Sequence, residues 1–186
     1  MEKFIRFLVV SMMCVHVAYG QTDKKYLEGA VPEKNGKIIF SQEFSLPGQS
    51  KDAMYDRLYN WLESRMKANA NDSRIVLSEK EKGQIVAVGE EYLVFLSNAF
   101  SLDRTLMTYQ VVIECEEGKG VVRLEKIRYE YENDKYTAEY MISDKEALNK
   151  KKTTMYRRNK KFRVKTVDFA EELFESVEGG LSRKKE

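Results

Sequence analysis

From Arg104 to Ile142 apolar side chains recur at every second position, in stretches cut by short polar turns. A chain with that period folds as antiparallel strands, each burying one face. Arg104–Cys115 places Met107, Tyr109, Val111, Ile113 and Cys115 on one side, and Glu117-Gly118-Lys119-Gly120 reads as a hairpin turn. Val121–Glu132 changes parity, from Val122 and Leu124 to Ile127, Tyr129 and Tyr131, which predicts a bulge near Glu125. Asn133-Asp134 then turns the chain into Lys135–Ile142, where Tyr136, Ala138, Tyr140 and Ile142 alternate as in a further strand.

The same period appears upstream. Ile38, Phe40, Phe44 and Leu46 share one face of a strand that starts at Lys37, and Pro47-Gly48 stops it. Arg74–Glu79 is a short strand. Gln84–Leu96 is apolar on both parities, as expected of a central strand buried on both faces or of one bulged near Gly89. Two segments follow the helical period instead. Ser50 is an N-cap, Asp52 suits the positive end of the helix dipole, and Met54, Leu58, Trp61, Leu62 and Arg65 line one face as far as the Asn69–Asp72 cluster. Trp61 is expected to anchor the core. Val167–Val177 carries Phe169, Leu173, Phe174 and Val177, with Gly179-Gly180 as its stop. Ser143 with Glu146 predicts a capped short helix over 144–152.

This order gives an α+β domain: one antiparallel sheet, strand–helix–four or five strands–helix, with the helices on one face. The expected organisation is a signal peptide over 1–20, a polar lead-in over 21–36, the α+β core over 37–142, a C-terminal extension of the same domain over 143–181, and a frayed tail over 182–186.

The first twenty residues have the pattern of a secretory signal: Lys3 and Arg6, an apolar stretch from Phe7 to Val17, and Ala18-Tyr19-Gly20 before Gln21. That stretch is shorter than the about 20 apolar residues a membrane span needs. Cleavage after Gly20 would release an exported chain, expected in the periplasm, with the cell surface or extracellular space as alternatives. Met12-Met13 before Cys14 disfavours lipoprotein processing.

Cleavage also removes chemistry. His16 is the only histidine and Cys14 one of two cysteines, so the mature chain keeps Cys115 and no imidazole. Ser-His-Asp and Cys-His catalysis, a histidine zinc site and an internal disulfide all become impossible. Glu90-Glu91 offers paired carboxylates, but neighbours in a strand point to opposite faces. The sequence therefore predicts no catalytic residue, no metal ligand and no cofactor. An unrecognised carboxylate hydrolase is the third reading.

The 32 basic and 30 acidic residues nearly cancel, which excludes a uniformly basic nucleic-acid binder. Yet Lys150, Lys151, Lys152, Arg157, Arg158, Lys160, Lys161, Arg163 and Lys165 stand together without an acid among them. They form a candidate anion-binding patch for lipid or polysaccharide of the envelope, set against the plainer reading of a solvated loop or strand. Nucleic acid is not an expected partner. Tyr129, Tyr131, Tyr136 and Tyr140 form a candidate aromatic surface for sugar rings or another protein, set against cross-strand stacking inside the sheet.

Tyr26-Leu27-Glu28-Gly29-Ala30-Val31-Pro32, Gly36-Lys37-Ile38-Ile39-Phe40, Pro47-Gly48-Gln49-Ser50-Lys51 and the helix with Tyr55, Trp61 and Leu62 resemble a family of exported Bacteroidetes proteins of unknown function with a TATA-binding-protein-like (TBP-like) fold. The resemblance implies a curved antiparallel sheet backed by helices, and implies no catalytic residues. DNA binding does not follow from the fold. The expected function is that of an exported, non-catalytic binding or interaction domain whose partner the sequence does not specify, the candidates being an envelope protein or an anionic envelope polymer or lipid. The alternative is attachment to anionic envelope lipid or polysaccharide through residues 150–165.

Overall fold

The computed structural model describes residues 24–69 and 71–182, so the signal segment and residues 183–186 of the tail lie outside the described residues. Seven strands form one sheet: β1 (Glu33–Lys34), β2 (Lys37–Ser45), β3 (Arg74–Glu79), β4 (Gln84–Ser97), β5 (Leu102–Glu116), β6 (Lys119–Tyr131) and β7 (Asp134–Thr137). Their order is β1-β2-β6-β5-β4-β3, antiparallel throughout, with β7 beside β6. Four helices pack on one face: α1 (Lys51–Ala68), α2 (Ala138–Ile142), α3 (Asp144–Ala147) and α4 (Arg157–Ser182).

The expected α1 is present. Ser50 caps it, its Oγ accepting from Ala53 N at 3.2 Å, and Asn69 ends it. Met54, Leu58 and Leu62 are buried against the sheet. Trp61 sits at the rim instead, half-buried, with Nε1 donating to Ser176 Oγ at 3.1 Å. The sheet supplies Ile38, Phe40, Phe44, Ile85, Ala87, Met107, Tyr109, Val111, Ile113, Val122, Leu124 and Tyr129 to the same core. The bulge near Glu125 is there: the β5–β6 register jumps between Thr108 and Gln110, and Lys126 takes a positive φ of 54°. At this bulge β6 exchanges β2 for β7 as its neighbour.

Gly89 does not form a bulge. It pairs in register with Tyr109, and a Cβ there would lie 2.2 Å from the Tyr109 ring. Glycine is needed because the ring lies on the strand.

Three other expectations fail for one physical reason, that tertiary contacts outrank the local period. The strand over 135–142 stops at Thr137, whose hydroxyl caps α2 by accepting from Tyr140 N at 3.3 Å. Ala138 and Ile142 fit helical as well as alternating spacing, and packing buries them, with Met141, as a helix. The helix at 144–152 is only Asp144–Ala147, although Ser143 caps it as expected. Finally, α4 begins ten residues before Val167 and passes through Gly179-Gly180 to Ser182. Its inner face begins with Asn159, Phe162, Arg163 and Thr166, so polar residues hide the period. Gly180 lets α1 approach: a Cβ would come within 2.9 Å of Trp61.

Candidate functional site

The cationic run does not form one surface. Lys150 and Lys151 are exposed in the turn after α3, and Arg157 and Lys160 are exposed on the first turns of α4. Lys152 is bound to Glu28 at 2.7 Å, and Lys165 is half-buried. Arg158 lies over Tyr140, 5.2 Å from the ring centroid, and donates to its hydroxyl at 3.1 Å. Lys161 reaches Asp103 at 2.9 Å and the Tyr131 hydroxyl at 2.7 Å, and lies 4.7 Å from the Phe95 ring.

Arg163 must be removed from any surface patch, since it is 0% exposed. Its Nε donates to Tyr26 O at 2.5 Å, one Nη to Ile142 O at 2.5 Å, and the other to Leu27 O and Asp144 Oδ1 at 2.6 Å each. Asp144 in turn accepts from Gly29 N at 2.9 Å. The guanidinium therefore ties the Tyr26–Gly29 segment to the α2–α3 corner. The reason is geometric: a planar fork of donors can serve several carbonyls at once.

The tyrosines also separate. Tyr129 is 1% exposed, bonded to Thr166 Oγ1 at 2.7 Å and packed on Phe162, so it belongs to the core and not to a surface. Tyr131 is half-buried between Phe95 and Phe162. Tyr136 and Tyr140 stack with centroids 6.1 Å apart and, with Arg158, face solvent.

The paired glutamates fall on opposite faces. Glu91 lies under α1, where it accepts from the Tyr109 hydroxyl and sits 3.7 Å from Arg65. Glu90 stands opposite Thr108 on the other face. Among the described residues no three of His, Cys, Asp and Glu gather where an ion could be held. Burial raises the Cys115 thiol to about 11, and at neutral pH it stays protonated.

The sequence reading missed a different feature. The face of the sheet away from the helices is divided along its length. On β6 it carries Arg123, Glu125, Arg128 and Glu130, with Arg123 forming a two-pronged bond to Glu114 at 2.9 and 2.8 Å. On β3, β4 and β5 it carries two apolar clusters, Leu77, Val86 and Val112, and then Tyr92, Leu106 and Val94, separated by Gln110 and the Glu90–Thr108 pair. The second cluster leads into the hairpin of β4 with β5. There Tyr92 and Val94 are 43 and 38% exposed on the face away from the helices, and Leu96, 48% exposed, stands past the bulge at Phe95 opposite Asp103. At the tip, Asn98 Oδ1 accepts from both Phe100 N and Ser101 N at 2.9 Å, and Phe100 projects 99% exposed.

The hairpin is braced. Phe95 points inward, 4.8 Å from Phe162, and Lys161 holds Asp103 at the base of β5. Arg104 stacks 3.8 Å over Tyr92. A fixed apolar band of this kind is the sort of surface that protein partners use. Its signal was present in the sequence, since β4 is apolar on both parities. The structure buries only one of them.

Comparison with known proteins places the chain. Residues 40–130 match the family described as "Domain of unknown function (DUF4468) with TBP-like fold". A DUF4468 family protein from Bacteroides ovatus is 50% identical, with a TM-score of 0.83 over 87% of this chain and 95% of its own. A TBP-like protein from Parabacteroides distasonis is 24% identical, with a TM-score of 0.68 over 84% of this chain and 99% of its own, and shares the fold. No curated protein matches the chain. The chain thus belongs to the DUF4468 family and has the TBP-like fold that the resemblance of its N-terminal segments implied.

Proposed function

We propose that this chain is an exported binding domain without chemistry of its own, which docks a protein partner on the apolar band of β4 and the Phe100 tip. One observation carries the reading: the end of β4 and its hairpin expose Tyr92, Val94, Leu96 and Phe100 together, and the fold covers none of them fully. Burying Phe100, which is 99% exposed, would be worth about 1.5–3 kcal/mol, and covering the partly exposed Tyr92, Val94 and Leu96 roughly half as much each. Export is supported by the charged, apolar and small-residue pattern of residues 1–20. Attachment through residues 150–165 has less support, because Arg163 is inside and Lys152 and Lys161 each serve a carboxylate.

The test is binding of a hydrophobic dye such as bis-ANS to the native chain and to a Tyr92→Ser, Leu96→Asp, Phe100→Asp variant. Binding by the native chain that falls at least tenfold in the variant, at unchanged melting temperature, is the expected result. Equal binding by both would place the sticky surface elsewhere and overturn the reading.

A further inference from the structure

We infer that the fork where the sheet divides is a binding site for a phosphomonoester, separate from the docking surface above. β6 pairs with β2 as far as Ile39↔Glu125 and takes up β7 at Arg128↔Thr137. Between those pairs, Lys126 and Ile127 have no strand beside them on that edge. The gap holds a cavity of about 300 Å³, with Glu139 of α2 on its inner side. That volume is at the small end of the range of ligand cavities.

Three cations line the cavity: Lys37, Lys126 and Arg128. All are exposed, and none is bonded to an acid, a carbonyl or a ring among the described residues. In this they differ from Lys152, Arg158, Lys161 and Arg163, which are engaged by Glu28, Tyr140, Asp103 and Asp144. Lys37 alternates with the buried Ile38, and Arg128 with the buried Ile127 and Tyr129, so both leave the sheet on the face away from the helices. Thr137, paired with Arg128, leaves on the same face. Its Oγ1 accepts from Tyr140 N, and the hydroxyl hydrogen is left to donate outward. Lys126 stands at a φ of 54°, a conformation glycine adopts more readily, and the chain carries a cation there instead.

The two carboxylates at the cavity are already engaged. Glu125 lies 3.9 Å from Arg123, and Glu139 Oε1 accepts from Ile38 N at 3.2 Å. A backbone donor of the fork thus already serves one oxyanion. Three cations and a hydroxyl match the three terminal oxygens and the double charge of a phosphomonoester better than the two oxygens and single charge of a carboxylate. The guanidinium takes two oxygens side by side, and the ammonium groups act as point charges. The cavity exceeds what a bare phosphate fills, which leaves room for the group it esterifies.

Such a group comes on a free ester or on a lipid headgroup, and the test separates the two. The full chain, isotope-labelled, is titrated with glycerol phosphate and with glycerol. Saturable shifts of the Lys126, Ile127 and Thr137 amides are expected with the first and none with the second. The triple variant Lys37→Gln, Lys126→Gln, Arg128→Gln removes charges that hold nothing in the fold. It should bind about tenfold more weakly or worse, at unchanged melting temperature. Lys150→Gln with Lys151→Gln should bind as the parent does, and Glu125→Gln should bind more tightly, since a like charge is gone. Sedimentation with phosphatidylcholine vesicles is run in parallel, with and without phosphatidic acid. Pelleting that needs phosphatidic acid and is lost in the triple variant assigns the phosphate to a lipid headgroup; amide shifts without pelleting assign it to a free ester. No shift together with no pelleting, equal shifts with glycerol, or equal binding by the triple variant and the parent would overturn the site. The hairpin shares no residue with the fork, so Phe100→Asp should bind glycerol phosphate as the parent does.

Discussion

Replacing Arg163 by alanine removes the largest fully buried side chain among the described residues. Four acceptors lose their donor: the carbonyls of Tyr26, Leu27 and Ile142 and the Asp144 carboxylate. Each buried acceptor left unsatisfied costs about 1–3 kcal/mol, but these do not add fully. Asp144 is 22% exposed in its side chain and keeps its bond from Gly29 N, so water and that amide offset part of its loss. Breaking a buried pair by removing one partner typically costs about 3–5 kcal/mol, and we expect Arg163→Ala to fall there. For a chain of this length that is a drop of about 6–20 °C in melting temperature. The assay is urea unfolding followed by Trp61 fluorescence.

A second variant separates charge from carbonyl satisfaction. Arg163→Met with Asp144→Leu removes the charge pair yet leaves three carbonyls without donors. It should remain at least about 2 kcal/mol below the parent, the cost of orphaned acceptors. A loss under about 1 kcal/mol for Arg163→Ala, or full recovery in the double variant, would refute the reasoning that this guanidinium fastens the N-terminal segment.

The two adjacent glycines of α4 should respond with opposite signs. Gly179→Ala, where a Cβ meets nothing within 4 Å, should stabilise by about 0.5–1 kcal/mol through helix propensity, whereas Gly180→Ala should destabilise by forcing Trp61 aside; thermal melts decide. Gly89→Ala should cost about 1–3 kcal/mol or more, since the new Cβ would fall inside the Tyr109 ring, and a neutral result would mean that the ring swings away freely. Lys161→Met should speed amide exchange across residues 94–104 while leaving α1 unchanged, because Lys161 braces the hairpin through Asp103. The hydrogen bond from Arg123 holds the Glu114 carboxyl below its ordinary value, so its contribution is present at neutral pH and lost as pH falls through that lowered value; Glu114→Gln should flatten the acid limb of the stability curve. Cys115, raised to about 11, should resist maleimide at pH 8 in the native Cys14→Ser chain and react on unfolding.

How far the sequence could be read depends on which force set each element. Period alone sufficed where burial followed it: β5, with Met107, Tyr109, Val111 and Ile113 inward, and α1, with Met54, Leu58 and Leu62 inward, appear within a few residues of their expected bounds. It failed where polar side chains do the inward packing. Asn159, Arg163 and Thr166 are satisfied by distant groups, Met141 O and Tyr26 O among them, and local spacing cannot reveal such partners. The candidate patch dissolved for the same reason: a cation's meaning depends on whether Glu28, Asp103 or Asp144 stands across from it. The apolar band was legible as composition but not as exposure. Two apolar parities in β4 are compatible with a strand covered on both faces, and only the positions of the helices show that one face is bare.

The docking reading is tested most directly by placing a photo-cross-linking residue at Phe100 in the producing cell, with Lys135, on the charged side of the sheet, as control. Ultraviolet light should yield a discrete heavier species from position 100 and none from position 135, and Leu96→Asp in the same chain should diminish it. Equal labelling from both positions, or no adduct from position 100, would contradict the claim that the bare face of β4 is where this domain meets its partner.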